Sequence, residues 1–434
     1  MATGKARVVR PDRSQLRWDV VDLESLLSAD HRARLVWAFV EGLDLGPLYD
    51  LIESREGEAG RPAADPAVLL ALWLYATVEG VGSARELARL CERDVAYRWL
   101  CGGVAVNYHG LADFRVDHGA FLDQLLSQSV AALASEGLVD LDEVTVDGTK
   151  VKASAGKGSF AGENKIVRVE RLARERVAQL RAEVDADPGA SARRRQAAQE
   201  RAARDIAERA KRARAALDRV KAARAKRDKS HPNEEPKSEM KASLSDPEAR
   251  WMRFADGSIK AGYNIQIAVA GREKDLILSV MATDRRNDAG LAVPMVDDLK
   301  RRYGRVPKRL LADTHYATAD DIVALAARED GAVLVYAPRP EDRKGVKPQT
   351  LKRRAAERAK EPQALKDWRC RMQTQEGQTI YQGRRRIELI NAHLKNRGFD
   401  RLNLRGLLKA KITALWHALA HNILVANRLR LTCA

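Results

Sequence analysis

Cysteine is scarce in this chain of 434 residues, and its spacing speaks against two kinds of site. The four cysteines are Cys91, Cys101, Cys370 and Cys433. None of them forms the C-x-x-C pair that is typical of zinc sites, and their spread does not resemble a disulfide framework. We therefore expect ordinary thiols.

Long apolar runs are also missing. No stretch approaches the roughly 18 consecutive apolar residues that a membrane span needs, and residues 1–7 lack the apolar segment of a signal peptide. We expect a cytoplasmic protein without a membrane partner. Because 45% of the residues are hydrophobic, the chain is long enough to bury the cores of two or three globular domains.

Negative charge is in deficit, with 60 Asp+Glu against 77 Lys+Arg and a net charge of +17. Such a surplus favours polyanionic partners, with nucleic acid first, then an anionic membrane or a ribosome-like particle. Residues 191–230 alone carry 15 Lys+Arg against 5 Asp+Glu, a net of +10. That arm either lies along a phosphate backbone, which would give salt-sensitive affinity, or is a solvated spacer.

The first third of the chain has a helical pattern, from Trp18 to about Leu133. Asp65 followed by Pro66 predicts the start of one helix, and Ser83 with Glu86 has the capping-box pattern of another. In a basic protein, short helices of this kind are typical of a helix-turn-helix DNA reader. A structural or dimerising helical bundle is the alternative, and the sequence does not choose between them.

The segment 161–242 is low in aromatic residues and rich in Ala, Arg, Lys and Glu. Its apolar residues recur every three or four positions, the motif Asp187-Pro-Gly189 interrupts the pattern, and Ser191 can cap a second helix. The pattern predicts a helical hairpin, packed like a coiled coil.

Around this hairpin the residues alternate as they do in strands. A strand over 139–151 carries Asp147, two more follow at 263–269 and 276–281, and a helix is expected from Asn287 to Leu299. A fourth strand ends in Asp313, a fifth covers 332–336, and a long apolar helix over 407–429 closes the chain. The order is β-β-β-α-β-α-β-α.

The stretch from Tyr381 to Lys395, read as one helix, places Tyr381, Arg384, Glu388 and Lys395 on one polar stripe. By itself such a stripe is typical of a solvated surface. Asp147 and Asp313 change that interpretation, because three carboxylates at one sheet edge can bind Mg²⁺. Two such ions about 4 Å apart clamp the attacking and leaving oxygens of a phosphoryl transfer.

These motifs resemble those of DDE transposases of the IS4/IS5 superfamily. The spacing Tyr381-x2-Arg384-x3-Glu388-x6-Lys395 is similar to their Y-R-E-K signature. The sequences Val146-Asp-Gly-Thr-Lys150 and Ala312-Asp-Thr-His-Tyr316 resemble their two aspartate motifs, with His315 where glycine is frequent. Gly60-Arg-Pro62, Tyr97-Arg-Trp-Leu100 and Asp113-Phe-Arg115 are similar to the IS1182-like members.

The resemblance implies an α/β fold with an RNase H-like mixed sheet, interrupted by the hairpin and preceded by an all-helical region. We expect a DNA-binding domain at 1–135, a catalytic domain at 136–160 and 243–434, and an insertion at 161–242. Residues 337–380 are interpreted as a second, polar insertion.

The resemblance also implies which residues act. Asp147, Asp313 and Glu388 would be catalytic and would bind Mg²⁺ or Mn²⁺ as a pair of ions. Tyr381, Arg384 and Lys395 would contact phosphates of double-stranded DNA, both transposon end and target. The expected reaction is strand cleavage followed by attack of the freed 3′-hydroxyl, carried out by a homodimer. A non-catalytic DNA-binding regulator and a metal nuclease without strand transfer are the alternatives.

Overall fold

The structure is a computed structural model of the chain, and it describes residues 22–55, 57, 62–186, 193–230, 239–271, 274–338 and 348–433. Four features predicted from the sequence lie wholly or partly outside these ranges. They are the start of the N-terminal helical pattern, Gly60 and Arg61 of one motif, the break at 187–189, and the cap at Ser191.

The N-terminal region is helical, as the sequence predicts. Its described helices are α1 (Arg32–Glu41), α2 (Gly46–Tyr49), α3 (Pro66–Val78), α4 (Ala84–Arg93), α5 (Val95–Cys101), α6 (Tyr108–Asp117) and α7 (Gly119–Ser135). Asp65 and Ser83 cap α3 and α4 through backbone N–H groups, as expected from their patterns. Helix α3 is apolar around its whole circumference and is buried on all sides.

The rest of the chain folds around one sheet. In chain order the elements are β1 (Glu143–Lys152), β2 (Phe160–Ala161), α8 (Glu163–Ala186), α9 (Arg193–Ser230), β3 (Ala242–Ser243), β4 (Arg250–Arg253), β5 (Ile259–Ala270), β6 (Ile277–Thr283), α10 (Ala292–Tyr303), β7 (Arg309–Leu311), α11 (Ala319–Ala326), β8 (Leu334–Tyr336), α12 (Pro348–Ala359), α13 (Gln363–Arg371), α14 (Gln375–Gln382), α15 (Arg385–Asn396) and α16 (Leu407–Cys433).

The sheet is mixed and six-stranded. One side of strand β5 pairs antiparallel with β1. On the other side of β5, strand β4 pairs with the first residues of β5 and strand β6 pairs with the later ones, both antiparallel. Strands β7 and β8 continue the sheet beyond β1, both parallel to it. An antiparallel meander followed by two strands parallel to the first, with helices packed around the sheet, confirms the predicted RNase H-like core.

Three details differ from the sequence prediction. Strand β4 was not expected, and α10 begins at Ala292 rather than at Asn287. The helix starts late because Gly290 has a φ of +73° and the Asp288 side chain accepts hydrogen bonds from β5. The segment 337–380, interpreted as a polar insertion, contains three helices, and Trp368 of one of them is buried.

A further difference concerns the stretch from Tyr381 to Lys395, which forms two helices and not one. Helix α14 ends at Gln382 and α15 begins at Arg385. Between them the backbone N–H of Arg384 donates to the Tyr381 carbonyl and that of Ile387 to the Arg384 carbonyl. These hydrogen bonds to the third preceding residue form a 3₁₀-type turn, which shifts Tyr381 relative to the α15 face.

The predicted helical hairpin is formed by α8 and α9, which pack against each other. Ile166 of α8 and Leu217 of α9 belong to a small core of their own. The pairing of β2 with β3 closes the base of the hairpin, where Lys221 also binds Glu163 at 2.7 Å. The hairpin therefore has its own packing and joins the sheet through its two ends.

The N-terminal helices and the sheet share one continuous hydrophobic core. Helix α16 contacts α3 and α7 as well as β5 and β6. Its Asn422 side chain accepts from the Ile277 N–H and donates to the Ile277 carbonyl, so it completes hydrogen bonds of the edge strand β6. None of the described helices is long and apolar enough to cross a membrane.

A buried arginine joins the N-terminal helices to the helices that pack on the sheet. The Arg302 side chain on α10 has no exposed surface, and it pairs with Asp298 at 2.6 Å and with Asp123 of α7 at 2.5 Å. It also donates to the Ser127 hydroxyl at 2.9 Å. Removing the guanidinium would leave two acids without their buried partner.

We expect Arg302→Met to lower the free energy of unfolding by about 3–5 kcal/mol, because a buried ion-pair network loses its central cation. The matched control is Arg301→Met. Arg301 pairs with the same two aspartates but its side chain is 59% exposed, so the loss should stay below about 1 kcal/mol. Urea unfolding measures both. Equal losses in the two variants would contradict the proposed role of burial.

Candidate active site

Asp147 lies in the middle of β1, and both of its carboxylate oxygens accept hydrogen bonds. Arg384 donates from Nη2 to Oδ1 at 2.9 Å, and Asn391 of α15 donates from Nδ2 to Oδ2 at 2.9 Å. The side chain is 16% exposed. A carboxylate within a sheet is costly unless it is paired, and here one cation and one amide supply the pairing.

Asp313 approaches Asp147 because β7 runs parallel to β1. Thr145 of β1 and Leu311 of β7 are the last paired residues, and Asp147 and Asp313 each follow two residues later. The Asp313 charge is near enough to contribute to the raised pKa of Asp147. The Asp313 Oδ1 accepts from the backbone N–H groups of His315 and Tyr316 at 3.0 and 2.6 Å, which holds the turn after β7.

Glu388 joins this group through an arginine. The Arg384 side chain, 13% exposed, donates from Nη1 to Glu388 Oε1 at 3.2 Å while Nη2 binds Asp147. The Glu388 side chain itself is 65% exposed. The structure thus links two of the predicted carboxylates, Asp147 and Glu388, through one cation. The third, Asp313, is near enough for its charge to act on Arg384.

Of the other predicted DNA contacts, Tyr381 lies beside the acids and Lys395 lies further along α15. Tyr381 is partly buried near Arg384, Asp313 and Glu388, and burial raises the pKa of its phenol. Lys395 is partly exposed and lies two helical turns beyond Glu388 on the same side of α15. Arg384, in contrast, is engaged with carboxylates rather than directed at solvent.

Burial sets the protonation of the site. It raises the pKa of Asp147 to about 6; the Arg384 guanidinium works against this rise, while the nearby carboxylates of Asp313 and Asp288 add to it. The two negative neighbours act because like charges disfavour ionisation at short range. Positive charge delivered to this site is therefore favourable.

Sequence reasoning missed two residues of the site. Asn391 orients Asp147, and its position three residues after Glu388 on the same helix face was the signal available. Asp288 lies in the loop after β6, where its Oδ1 accepts from Asn264 and Gln266 at 2.7 and 2.8 Å. No spacing pattern pointed to it, since it comes close only through the fold.

The absence of a side chain at Gly148 allows the Asp288 carboxylate to lie against strand β1. A Cβ added at Gly148 would lie 2.1 Å from Asp288 Oδ1 and 2.8 Å from Gln266 Nε2. Only a residue without a side chain leaves room for this carboxylate against β1. The glycine of the first aspartate motif is thus a packing requirement.

A buried tyrosine, Tyr316, lies near the acids of the site. Its side chain is fully buried, and its hydroxyl has no hydrogen-bond partner among the described residues. Burial raises the pKa of this phenol well above its ordinary value, and the carboxylates of Asp288 and Asp147 add to the effect. The hydroxyl therefore stays protonated beside the acids.

The carboxylates are not arranged as a closed metal cage. Within the described parts of the chain, no three His, Cys, Asp or Glu side chains are close enough together to hold an ion. Arg384 takes the space between Asp147 and Glu388. Carboxylate oxygens are nevertheless the hard ligands that Mg²⁺ prefers.

We expect Gly148→Ala to lower the free energy of unfolding by about 1–3 kcal/mol, because the new methyl group displaces Asp288 and breaks its bonds to two buried amides. Gly158→Ala is the control, since nothing lies within 4 Å of a Cβ there. Its change should stay within about 0.5 kcal/mol. Chemical denaturation compares them, and an unchanged Gly148→Ala protein would refute the close approach.

Comparison with known proteins gives matches to two family models. The model described as "Transposase DDE domain" matches residues 226–423, and the model described as "Transposase domain (DUF772)" matches residues 21–117. No curated protein and no solved structure matches the chain. The first match includes Asp313 and Glu388, and the second covers most of the N-terminal helices. Because both domains are present and the core is RNase H-like, the chain belongs to the DDE transposases of the IS1182-like type.

Proposed function

We propose that this transposase cleaves DNA at the ends of an insertion sequence and joins the freed 3′ end to target DNA, in a reaction that depends on divalent metal ions. The observation that carries the proposal is the bridge that Arg384 forms between Asp147 and Glu388, with the charge of Asp313 acting on the same guanidinium. Three acids from distant parts of the sequence are costly to bring together, and a reaction on phosphates with bound metal ions is a reason to do so.

The chemistry of the three side chains suits the implied metal, although among the described residues their present spacing, with Arg384 between two of them, is not that of a formed ion site. Asp147, Asp313 and Glu388 would hold Mg²⁺ or Mn²⁺, as two ions, through carboxylate oxygens. When bound, such ions stabilise the charge that develops on the attacking and leaving oxygens. The pocket already attracts a positive group, since Arg384 bridges two of the three carboxylates.

The protein's own residues have separable tasks in this proposal. Asn391 fixes the orientation of Asp147, and the turn after β7 fixes Asp313. Arg384 balances the acids in the free protein, and with DNA bound its fork is suited to a phosphate. Tyr381 beside the acids, and Lys395 two helical turns beyond Glu388, would contact the same strand.

The bond changes in the two steps are simple. In cleavage, a water oxygen bonds to phosphorus, the bond from phosphorus to the 3′ oxygen breaks, and the 3′ oxygen takes a proton. In joining, that 3′-hydroxyl attacks a phosphorus of the target, loses its proton, and releases a 3′ oxygen of the target strand. Both steps are in-line displacements at one site, so no covalent bond between protein and DNA is required.

Other parts of the proposal extend beyond the site. Residues 1–135 would form a DNA-binding domain, 136–160 with 243–434 the catalytic domain, and 161–242 an insertion. A homodimer bridging two element ends would be the active assembly, acting in the cytoplasm. The basic surplus of the chain supports DNA as the partner.

We expect Glu388→Gln to reduce cleavage of an element-end duplex by about 100-fold or more, because a charged ligand of the proposed ions is lost. DNA binding should persist. The control is Glu376→Gln, an exposed acid in the first turn of α14, which should cleave normally. Gel analysis of labelled strands measures both cleavage and joined products.

The same assay separates the alternatives. Cleavage that persists undiminished in Glu388→Gln would rule out the assigned triad. Wild-type protein that binds but never cuts would favour a non-catalytic regulator, and cutting without joined products would favour a nuclease.

Metal binding can be tested without DNA. Mg²⁺ or Mn²⁺ should raise the melting temperature by about 1–3 °C, because a ligand of the folded state stabilises it. Glu388→Gln should reduce the rise, and Glu376→Gln should keep it. NaCl at matched ionic strength controls for screening, and a rise that is the same for NaCl or in Glu388→Gln would count against the site.

A further inference from the structure

A large groove lies between the hairpin and the outer edge of the sheet. One wall is the end of α9 with Arg219 and Arg224, the other is the edge strand β4, and the loop 284–287 closes one end. Its volume is about 1330 Å³. That is above the roughly 300–1,000 Å³ of typical small-molecule sites, so a polymer segment fits it better.

The rim of the groove carries uncompensated positive charge. Cations line it from several elements, whereas its acids are Glu239 and Asp284; the cationic residues are Lys150, Lys157, Arg219, Arg224, Lys241, Arg250, Arg253, Arg285 and Arg286. Asp284 is already bound to the buried Arg250 at 2.9 Å. Among the described residues no ion pair forms with Lys157, Arg219 or Arg253, and all three are exposed. The lining of the groove therefore has a net positive charge that a polyanion would neutralise.

The floor of the groove is apolar and aromatic. Phe160 and Trp251 are partly exposed, with ring centroids 4.6 Å apart. Ile259, on the first residue of β5, is 67% exposed beside them. An apolar floor between cationic walls is the arrangement that binds single-stranded nucleic acid, with phosphates on the cations and bases on the rings. A duplex hides its base faces and would leave this floor unused.

The groove is lined in part by the strand that carries Asp147. Lys150, which lines it, is three residues after Asp147 on β1, about 10 Å along the strand. Because successive side chains of a strand alternate between the two faces of the sheet, Lys150 and Asp147 lie on opposite faces. Asn287 at the end of the groove precedes Asp288, whose carboxylate lies against Gly148.

We infer that this groove binds a single-stranded segment of DNA. The inference rests on the proposed function for the identity of the nucleic acid, but the binding surface is separate from the triad. In this proposal the hairpin helps to bind DNA, because its helix α9 supplies one wall of the groove.

The test is a binding titration without divalent ions, in the Glu388→Gln background so that no strand is cut. The probe is a fluorescent oligothymidine of about 20 nucleotides, which exceeds the roughly 4–16 nucleotides of typical single-strand sites. Anisotropy gives the affinity at several salt concentrations, and an unlabelled duplex of the same length serves as competitor. The single strand should bind more tightly than the duplex.

The charge variant is Arg219→Ala with Arg253→Ala, one residue from each wall. It should weaken binding about tenfold and reduce the slope of log affinity against log salt by about 1.4, since each lost phosphate contact accounts for about 0.7. The control is Arg201→Ala with Arg209→Ala, which removes the same charge from α9 outside the groove. It should leave both quantities nearly unchanged.

The stacking variant is Trp251→Leu, expected to weaken single-strand binding about tenfold or more and duplex binding little. Trp251→Tyr keeps a ring and should retain most of the affinity, which distinguishes stacking from loss of fold. Equal losses in the two arginine pairs, full affinity in Trp251→Leu, or tighter duplex binding would overturn the inference. If the groove variants behave as expected while wild-type protein never cleaves, the groove stands and the proposed function fails.

Discussion

The Arg384 guanidinium lies between the carboxylates of Asp147 and Glu388, and the rest of the site depends on this contact. Acids that converge in a sheet raise one another's pKa and resist ionisation unless positive charge comes with them. Burial and the neighbouring carboxylates raise the pKa of Asp147 to about 6 even though Arg384 is in contact. The pocket is therefore built to receive cations.

Backbone geometry produces this convergence. The parallel pairing of β1 and β7 brings Asp313 toward Asp147, and the 3₁₀-type turn between α14 and α15 directs Arg384 toward both acids of its bridge. Gly148 leaves space for Asp288 on β1, where the side-chain amides of Asn264 and Gln266 hold its carboxylate. Charges held in fixed positions need little rearrangement during a reaction.

Opposite charges are also separated over the molecule as a whole. Positive charge is concentrated on the hairpin and along the groove, while the three acids of the candidate active site lie elsewhere in the structure. A polyanion is attracted to the groove, and the acids would repel it without bound cations. The proposed division of tasks follows: the basic surfaces hold DNA, and the acidic site with its ions acts on one phosphate.

The sequence by itself determined the type of most elements, because periodicity is a local property, and its charged-residue spacing pointed to the three acids. It predicted β1, β5, β6, β7, β8, the hairpin and the closing helix. It could not separate α14 from α15, since both residues of the turn have helical φ and ψ. Asn391 had a local signal in its spacing from Glu388, but its partner Asp147 is 244 residues away. Asp288 and the groove were decided by tertiary structure alone, because they form from contacts between residues distant in the chain, such as Asp288 with Gln266, 22 residues away.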